Sequence, residues 1–536
     1  MKASDFQTFL TEHTAVVEPL RHNIAIAYWE ATITGRREDF ERYAAFEIEI
    51  QRVYANHKEF AQLHALRESG TVVNPLHARA LDVLYHEYQR HQADPSLLEE
   101  SMRRSTSILN QFNVFRAKYD GHELTSNGVR KVLRTSTDSE ERRHVWEAEK
   151  RVGRIVRDDL LELVALRNEI ARSLGFSDYY VMSLELAEQN PEDIANLFDQ
   201  IETLTRSPFS LLKAELDTSL AKRCHVMPAD LRPWHYEDPF FQEAPRVNSL
   251  DFDAFYRGRD VVRIVHEFYN GIGLNVDDVI EHSDLFEKQG KEQHAYCMDM
   301  DRKGDVRVLA NVQDDEIWTG TMLHELGHAV YDKFVSRDLP FVLREHAHIF
   351  VTEAIAMLFG RLSKDAGWIS AVVGVRDDQR EAVARASARQ QRRAQLVFAR
   401  WCQVMVRFER KLYQDPDGDL NSMWWDLIHK CQMVQPPKDR NEPDWASKIH
   451  IVSAPVYYHN YMLGELLASQ IDHALARDVL GGQSGGRALV GHTGVGAYLQ
   501  ERLFQTGRSL SWNDTVKRAT GEALNPSYFT GQFLDG

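Results

Sequence analysis

Apolar residues recur at intervals of three and four through most of this 536-residue chain, and that spacing selects α-helices packed on one another. From Asp158 to Leu174 the series is Leu163, Leu166, Ile170 and Leu174. Two aspartates open that segment and Gly175 closes it, as helix-dipole and C-cap chemistry prefer. Asp377 to Tyr413 contains neither Gly nor Pro, which predicts one or two long helices. They end at the turn cluster Asp415-Pro416-Asp417-Gly418-Asp419, which lacks the closing glutamate of a calcium loop and reads as a solvated turn. Strand signals are sparse. His294 to Met300 and Asp305 to Asn311 flank Arg302-Lys303-Gly304 and read as a hairpin. The glycine-rich run Gly481 to Gly496 has no Walker lysine and no preceding strand, so it reads as a flexible surface loop. No repeat, low-complexity linker or domain boundary is evident, and the expectation is a mainly α, single large helical body.

Charge and cysteine usage narrow the partners. Lys and Arg total 64 against 80 Asp and Glu, a formal net charge of −16. Nucleic acid and anionic membranes favour basic surfaces, so neither is an expected partner. Met1 to Val17 carries no apolar core behind basic residues, and no secretory signal is expected. Nowhere do eighteen apolar residues run together, so no membrane-spanning helix is expected either. Cys224, Cys297, Cys402 and Cys431 are scattered without CxxC spacing and read as reduced thiols in the cytoplasm. Nothing in the sequence bears on oligomeric state.

Chemistry concentrates at Thr321-Met322-Leu323-His324-Glu325-Leu326-Gly327-His328, which contains HExxH. On a helix, positions four apart share a face, so His324 and His328 can reach one ion. Zinc accepts neutral imidazole nitrogens and a carboxylate oxygen, and a catalytic site keeps one position for water. Coordination can lower the pKa of that water to about 7. Glu325, beside the first ligand, is placed to serve as general base. Met322, Leu323, Leu326 and Ala329 supply the packed face that a rigid ligand-bearing helix needs. The third ligand is assigned to Glu353, 25 residues past His328 in the apolar run Phe350 to Leu358. A carboxylate there is costly to bury unless paired or metal-bound.

Around this motif the chain resembles the angiotensin-converting-enzyme family of zinc dipeptidyl carboxypeptidases, with touches of the thimet-type oligopeptidases. The resemblance rests on His294-Ala295-Tyr296, the HExxH segment, Arg337-Asp338-Leu339-Pro340, Leu343-Arg344-Glu345 and Glu353-Ala354. Downstream it rests on Lys448-Ile449-His450-Ile451 and Tyr457-Tyr458-His459-Asn460-Tyr461. Leu166-Arg167-Asn168-Glu169, Leu174-Gly175-Phe176 and Thr520 to Asn525 also fit, so the matches run from about residue 160 to the end. It implies one catalytic domain over residues 1–536, built as two intertwined helical halves of an ellipsoid split by a deep channel, with N-terminal helices as a lid. It further implies that His294 and the backbone at Ala295 hold a short peptide as an added strand. His450 and Tyr461 would stabilise an oxyanion, and Lys448 and Tyr458 would bind a substrate carboxylate.

Several positions depart from the family pattern. Met357 stands where an aspartate orients a zinc histidine, leaving Asp314, Asp315 or Glu316 as candidate substitutes. Asn460 replaces an arginine tied to chloride activation, so chloride dependence does not carry over. One residue is inserted between His450 and Tyr461, and Tyr236 falls where a carboxylate-binding glutamine is expected. Release of C-terminal dipeptides therefore rests on less than peptide hydrolysis does. An endo-acting oligopeptidase, a zinc amide hydrolase on a specialised non-peptide substrate and a silent peptide-binding homologue stay open. His346, His348 and His459 receive no role.

Overall fold

The structure is a computed structural model that describes residues 1–246 and 250–533. It is mainly α, as the periodicity requires. Among the described residues strands form two antiparallel pairs: β1 (Ala117–Tyr119) with β2 (His122–Leu124), and β3 (Tyr296–Asp299) with β4 (Val306–Leu309). The chain divides into two compact units, each drawn from separate stretches of sequence. The first takes Met1–Gln92, Leu250–Ala388 and Leu463–Gln532; the second takes Ala93–Ser249, Arg389–Met462 and Phe533–Gly536.

Four helices open the first unit: Phe6–Thr34, Arg37–Tyr54, His57–Ser69 and Pro75–Gln89. Asn56 and Asn74 cap the third and fourth through side-chain oxygens, and Pro75 occupies a first-turn position where its missing N–H costs nothing. Their apolar faces bury Phe6, Leu10, Val17, Leu63, Leu84 and Tyr88 against Phe341, Val342 and Leu343. This apolar burial fastens the N-terminal helices to the segment that leads from the metal motif to Glu353.

The hairpin predicted before the metal motif is present but shorter. Tyr296 pairs with Leu309 and Asp299 with Val306, while His294 and Ala295 precede the first strand. Arg302 (φ 55°) and Gly304 (φ 111°) turn the chain in left-handed conformations. The glycine-rich run is only partly a loop. It holds the short helix Gly486–Leu489 and the start of Gly494–Arg502, and Gly496 N bonds Ile272 O at 2.9 Å.

In the second unit the helix expected to begin at the two aspartates is Ser139–Ser173, with Asp158 and Asp159 well inside it. Its true start is Asp138, whose carboxylate accepts from Glu140 N and Glu141 N. Gly175 ends the segment at φ 91° as expected. The stretch from Asp377, which belongs to the first unit as far as Ala388, resolves into a single 3₁₀ turn, Asp377–Gln379, and the long helix Arg380–Gln414. Asp419, in the acidic turn, caps the next helix, Leu420–Gln432. The β1–β2 hairpin was not anticipated. Asp120 (φ 49°) and Gly121 (φ 76°) form its turn.

Candidate metal centre and a cationic pocket

The helix Glu316–Lys333 is capped by Asp315, whose carboxylate accepts from Trp318 N at 2.7 Å. It places His324 and His328 one turn apart. The helix Ile349–Gly360, capped by His348, carries Glu353. These helices touch backbone to backbone, because a Cβ on Gly327 would lie 2.8 Å from Ala356 Cα. That approach brings the three side chains together. Ligand atoms of His324, His328 and Glu353 all lie within 4.8 Å of one another. The two Nε2 atoms are 3.2 Å apart, and Glu353 Oε2 is 3.7 Å and 4.0 Å from them. Two imidazoles and one carboxylate converging on a point are the donor set of a catalytic zinc site, and they fit that ion.

Electrostatics favour the same reading. Burial pushes the His324 imidazole down to about 4, so it is neutral and its lone pair available near pH 7. His328 is lowered by burial, then by His324 and His346. Glu325 is buried, and burial followed by the charge of Glu353 raises its carboxyl to about 8, against a backbone hydrogen bond from Cys297 in β3.

The expected partner for a zinc histidine takes a different form. His328 Nδ1 meets Thr352 Oγ1 at 2.8 Å, a residue the sequence reading passed over although it adjoins Glu353. The three candidate acids are engaged elsewhere: Asp314 accepts from Gly258 N, Asp315 caps its helix, and Glu316 accepts from Ser363 Oγ and pairs with Lys364. Met357 lies in contact distance of Gly464, where a Cβ would sit 3.0 Å from its sulfur. The unassigned histidines have structural work. His346 pairs with Asp332 at 3.5 Å, His348 caps a helix, and His459 Nε2 meets Gln189 Oε1 at 2.7 Å.

His294 belongs to the first unit, with its side chain 94% exposed and Nδ1 3.0 Å from Glu292 Oε1. Ala295 follows it at the entry to β3.

Lys448, His450, Tyr458 and Tyr461 gather in the second unit. The His450 ring lies 5.1 Å from Tyr458, and Tyr458 lies 5.6 Å from Tyr461. His450 Nδ1 is buried without a hydrogen-bond partner among the described residues. Burial and then the Lys448 charge push its imidazole down to about 4. Lys448 Nζ sits over the rings of Phe240, Trp401 and Tyr458 at 5.0, 5.2 and 5.4 Å and donates to Gln242 Oε1 at 2.6 Å. Gln242 is thus the amide beside the lysine, six residues past the position the sequence suggested. Tyr236 is engaged instead with Lys213 Nζ at 2.8 Å and Asp217 Oδ1 at 2.9 Å. Val456, with a φ of 54°, sits in the irregular link between the helices His450–Ser453 and Tyr458–Asp478. Asn460 is buried and accepts from Gln189 Nε2 at 3.3 Å.

A family model described as angiotensin-converting enzyme matches residues 1–527. The chain is 21% identical over 420 residues to the angiotensin-converting enzyme of Theromyzon tessulatum, covering 73% of this chain and 67% of that one. It is 25% identical over 405 residues to that of Rattus norvegicus, covering 68% of this chain and 30% of the relative. Against that of Mesocricetus auratus it is 24% identical over 458 residues, covering 73% and 32%. The matched chain therefore spans less than a third of the length of the latter two.

Proposed function

The chain belongs to the angiotensin-converting enzyme family of zinc metallopeptidases, and from that premise we propose that it hydrolyses short peptides and releases dipeptides from their C-termini. The observation that carries the chemistry is the convergence of His324, His328 and Glu353 within 4.8 Å, with the buried carboxyl of Glu325 next to His324 on the same helix. Those three residues would hold zinc, which when bound polarises a carbonyl and acidifies water.

The chain's own groups supply the rest. Glu325 takes the proton from the attacking water and passes it to the leaving amine. His294 and the backbone at Ala295 hold the substrate alongside the entry to β3, as a strand added to an edge. His450 and Tyr461 donate to the oxyanion as charge develops on it, a contribution of about 3 kcal/mol for one well-placed donor. The buried Nδ1 of His450, with no partner among the described residues, supports a role toward a ligand.

Release of dipeptides in particular rests on Lys448. An ammonium has three donors, and the bond to Gln242 takes one of them. A free C-terminal carboxylate matches what remains, with Tyr458 alongside.

Peptides of one sequence, with free and with amidated C-termini, separate the possibilities when the products are read by mass spectrometry. The proposal expects dipeptides from the free-acid peptides and roughly tenfold or more slower cleavage of the amides, the scale of one charge-assisted hydrogen bond. Internal cuts that ignore the terminus would instead establish an oligopeptidase. A zinc-loaded enzyme that cuts neither would point to a non-peptide amide substrate or a binding role.

A further inference from the structure

Lys150 lies on the helix Ser139–Ser173 in the second unit, buried, and no step above uses it. Its Nζ sits 3.2 Å from the centroid of the Phe240 ring and 5.4 Å from that of Trp146, and it donates to Ser447 Oγ at 3.2 Å. Burying an ammonium is costly, and the carboxylates of Asp444 and Asp238 only partly offset it here: burial still drives the group down to about 7. A methionine of similar reach would fill the same volume without that penalty. Packing alone therefore gives no reason for a cation at this position.

What the ammonium touches is the segment that carries Gln242. Asp238 accepts from Phe240 N at 2.9 Å and Gln242 N at 3.0 Å. Trp146 Nε1 donates to Pro239 O at 3.0 Å, and Gln432 Nε2 to Phe241 O at 2.7 Å. These bonds fix the backbone of the segment. The Phe240 side chain rests on cations and rings, with Lys150 at 3.2 Å, Lys448 at 5.0 Å and the Trp401 ring at 5.4 Å. One aromatic ring thus couples Lys150 to the ammonium assigned to the substrate carboxylate.

We propose that Lys150 is a positioning residue for the carboxylate pocket: by holding Phe240 it sets where Gln242 and the Lys448 ammonium sit, and so how tightly a free peptide C-terminus is bound. This rests on the reading of Lys448 given above.

The test uses the zinc-loaded full chain and its Lys150→Met, Lys150→Arg and Lys448→Met variants. Calorimetry measures the affinity of a dipeptide and of its C-terminal amide, and kinetics give KM and kcat for a free-acid peptide. Lys150→Met is expected to weaken the free-acid dipeptide about fivefold or more, the scale of a desolvated cation–π contact, while the amide moves less than about twofold. Its KM should rise by more than its kcat falls, and Lys150→Arg should recover most of the loss.

Equal losses for acid and amide, or an arginine variant no better than methionine, overturn the proposal. If Lys448→Met leaves the preference for the free acid intact, the carboxylate reading itself fails and this inference fails with it. If Lys448→Met abolishes the preference but Lys150→Met does not alter it, only the role of Lys150 is lost. Should Lys150→Met not fold, Phe240→Leu must reproduce the same split between acid and amide, and a wild-type preference in that variant also overturns the proposal.

Discussion

At His328 the two ring nitrogens face different tasks, with Nε2 turned to His324 and Glu353 and Nδ1 to Thr352 Oγ1 at 2.8 Å. A hydroxyl in place of the family's carboxylate still fixes the ring's orientation, though a neutral partner raises ligand basicity less than an anion does. Thr352→Val keeps the shape and removes the bond. It should weaken zinc binding about tenfold in a competition titration with a chelator; unchanged affinity would remove Thr352 from any orienting role. At this scale the sequence exposes what depends on local geometry. His324 and His328 are legible because a helix puts positions four apart on one face, and Glu353 because a carboxylate in an apolar run needs a reason. Gln242 was not legible, because its approach to Lys448 joins positions 206 residues apart through an irregular segment that no periodicity encodes. Thr352 was passed over for a related reason: a threonine beside a ligand looks the same whether or not it faces the histidine.

Between elements, the centre depends on how closely Glu316–Lys333 and Ile349–Gly360 approach. A methyl group on Gly327 would meet Ala356 Cα at 2.8 Å and Ile355 O at 3.2 Å, and both neighbours are backbone. Gly327→Ala therefore sets two effects against each other. Helix propensity would gain up to about 1 kcal/mol, whereas overpacking costs about 1–3 kcal/mol. The clash should win. The expected result is a lower Tm together with weaker zinc binding, as the helices part and Glu353 withdraws from the histidines; a variant with wild-type Tm and zinc affinity would contradict this account of the packing. Helix existence was readable from spacing, but helix starts were less so. Asp158 and Asp159 resemble a first turn, yet the apolar pattern continues upstream to a better cap at Asp138. The β1–β2 hairpin escaped notice because strands of three residues are too short to show alternation, although Asp120-Gly121 carries the turn chemistry.

For the molecule as a whole, two carboxyls of the first unit work in opposite directions on stability. Burial alone would raise Glu345, but Arg302, Arg508 and Arg21 more than offset it and hold the group at about 2. Its unfolded value is about 4.3, so its contribution is present above that pH and is lost as pH falls toward 2. Burial and then the Asp332 charge push Asp299 up to about 7, against about 3.9 unfolded. Its contribution is complete below about pH 4 and is lost as pH rises through 7. Asp299→Asn can keep the backbone bonds from Asp301 N and Arg302 N while removing the charge. It should raise Tm by roughly 2 °C or more at pH 8, with the gain shrinking at pH 5; an equal gain at both pH values would show that ionisation is not its cause. Composition gives no sign of the division into two discontinuous units, because no change of composition marks the points where the chain passes from one to the other; only the family resemblance carried an expectation of two halves. Hydrolysis at a zinc site through Glu325 is probed by measuring zinc content and peptide turnover together in the wild type and in Glu325→Gln. The expected result is about one zinc per chain in both proteins and a loss of turnover of several orders of magnitude in the variant, because the metal donors remain while the base is gone. Turnover retained by Glu325→Gln, or a wild-type protein that hydrolyses peptides with no metal bound, would contradict it.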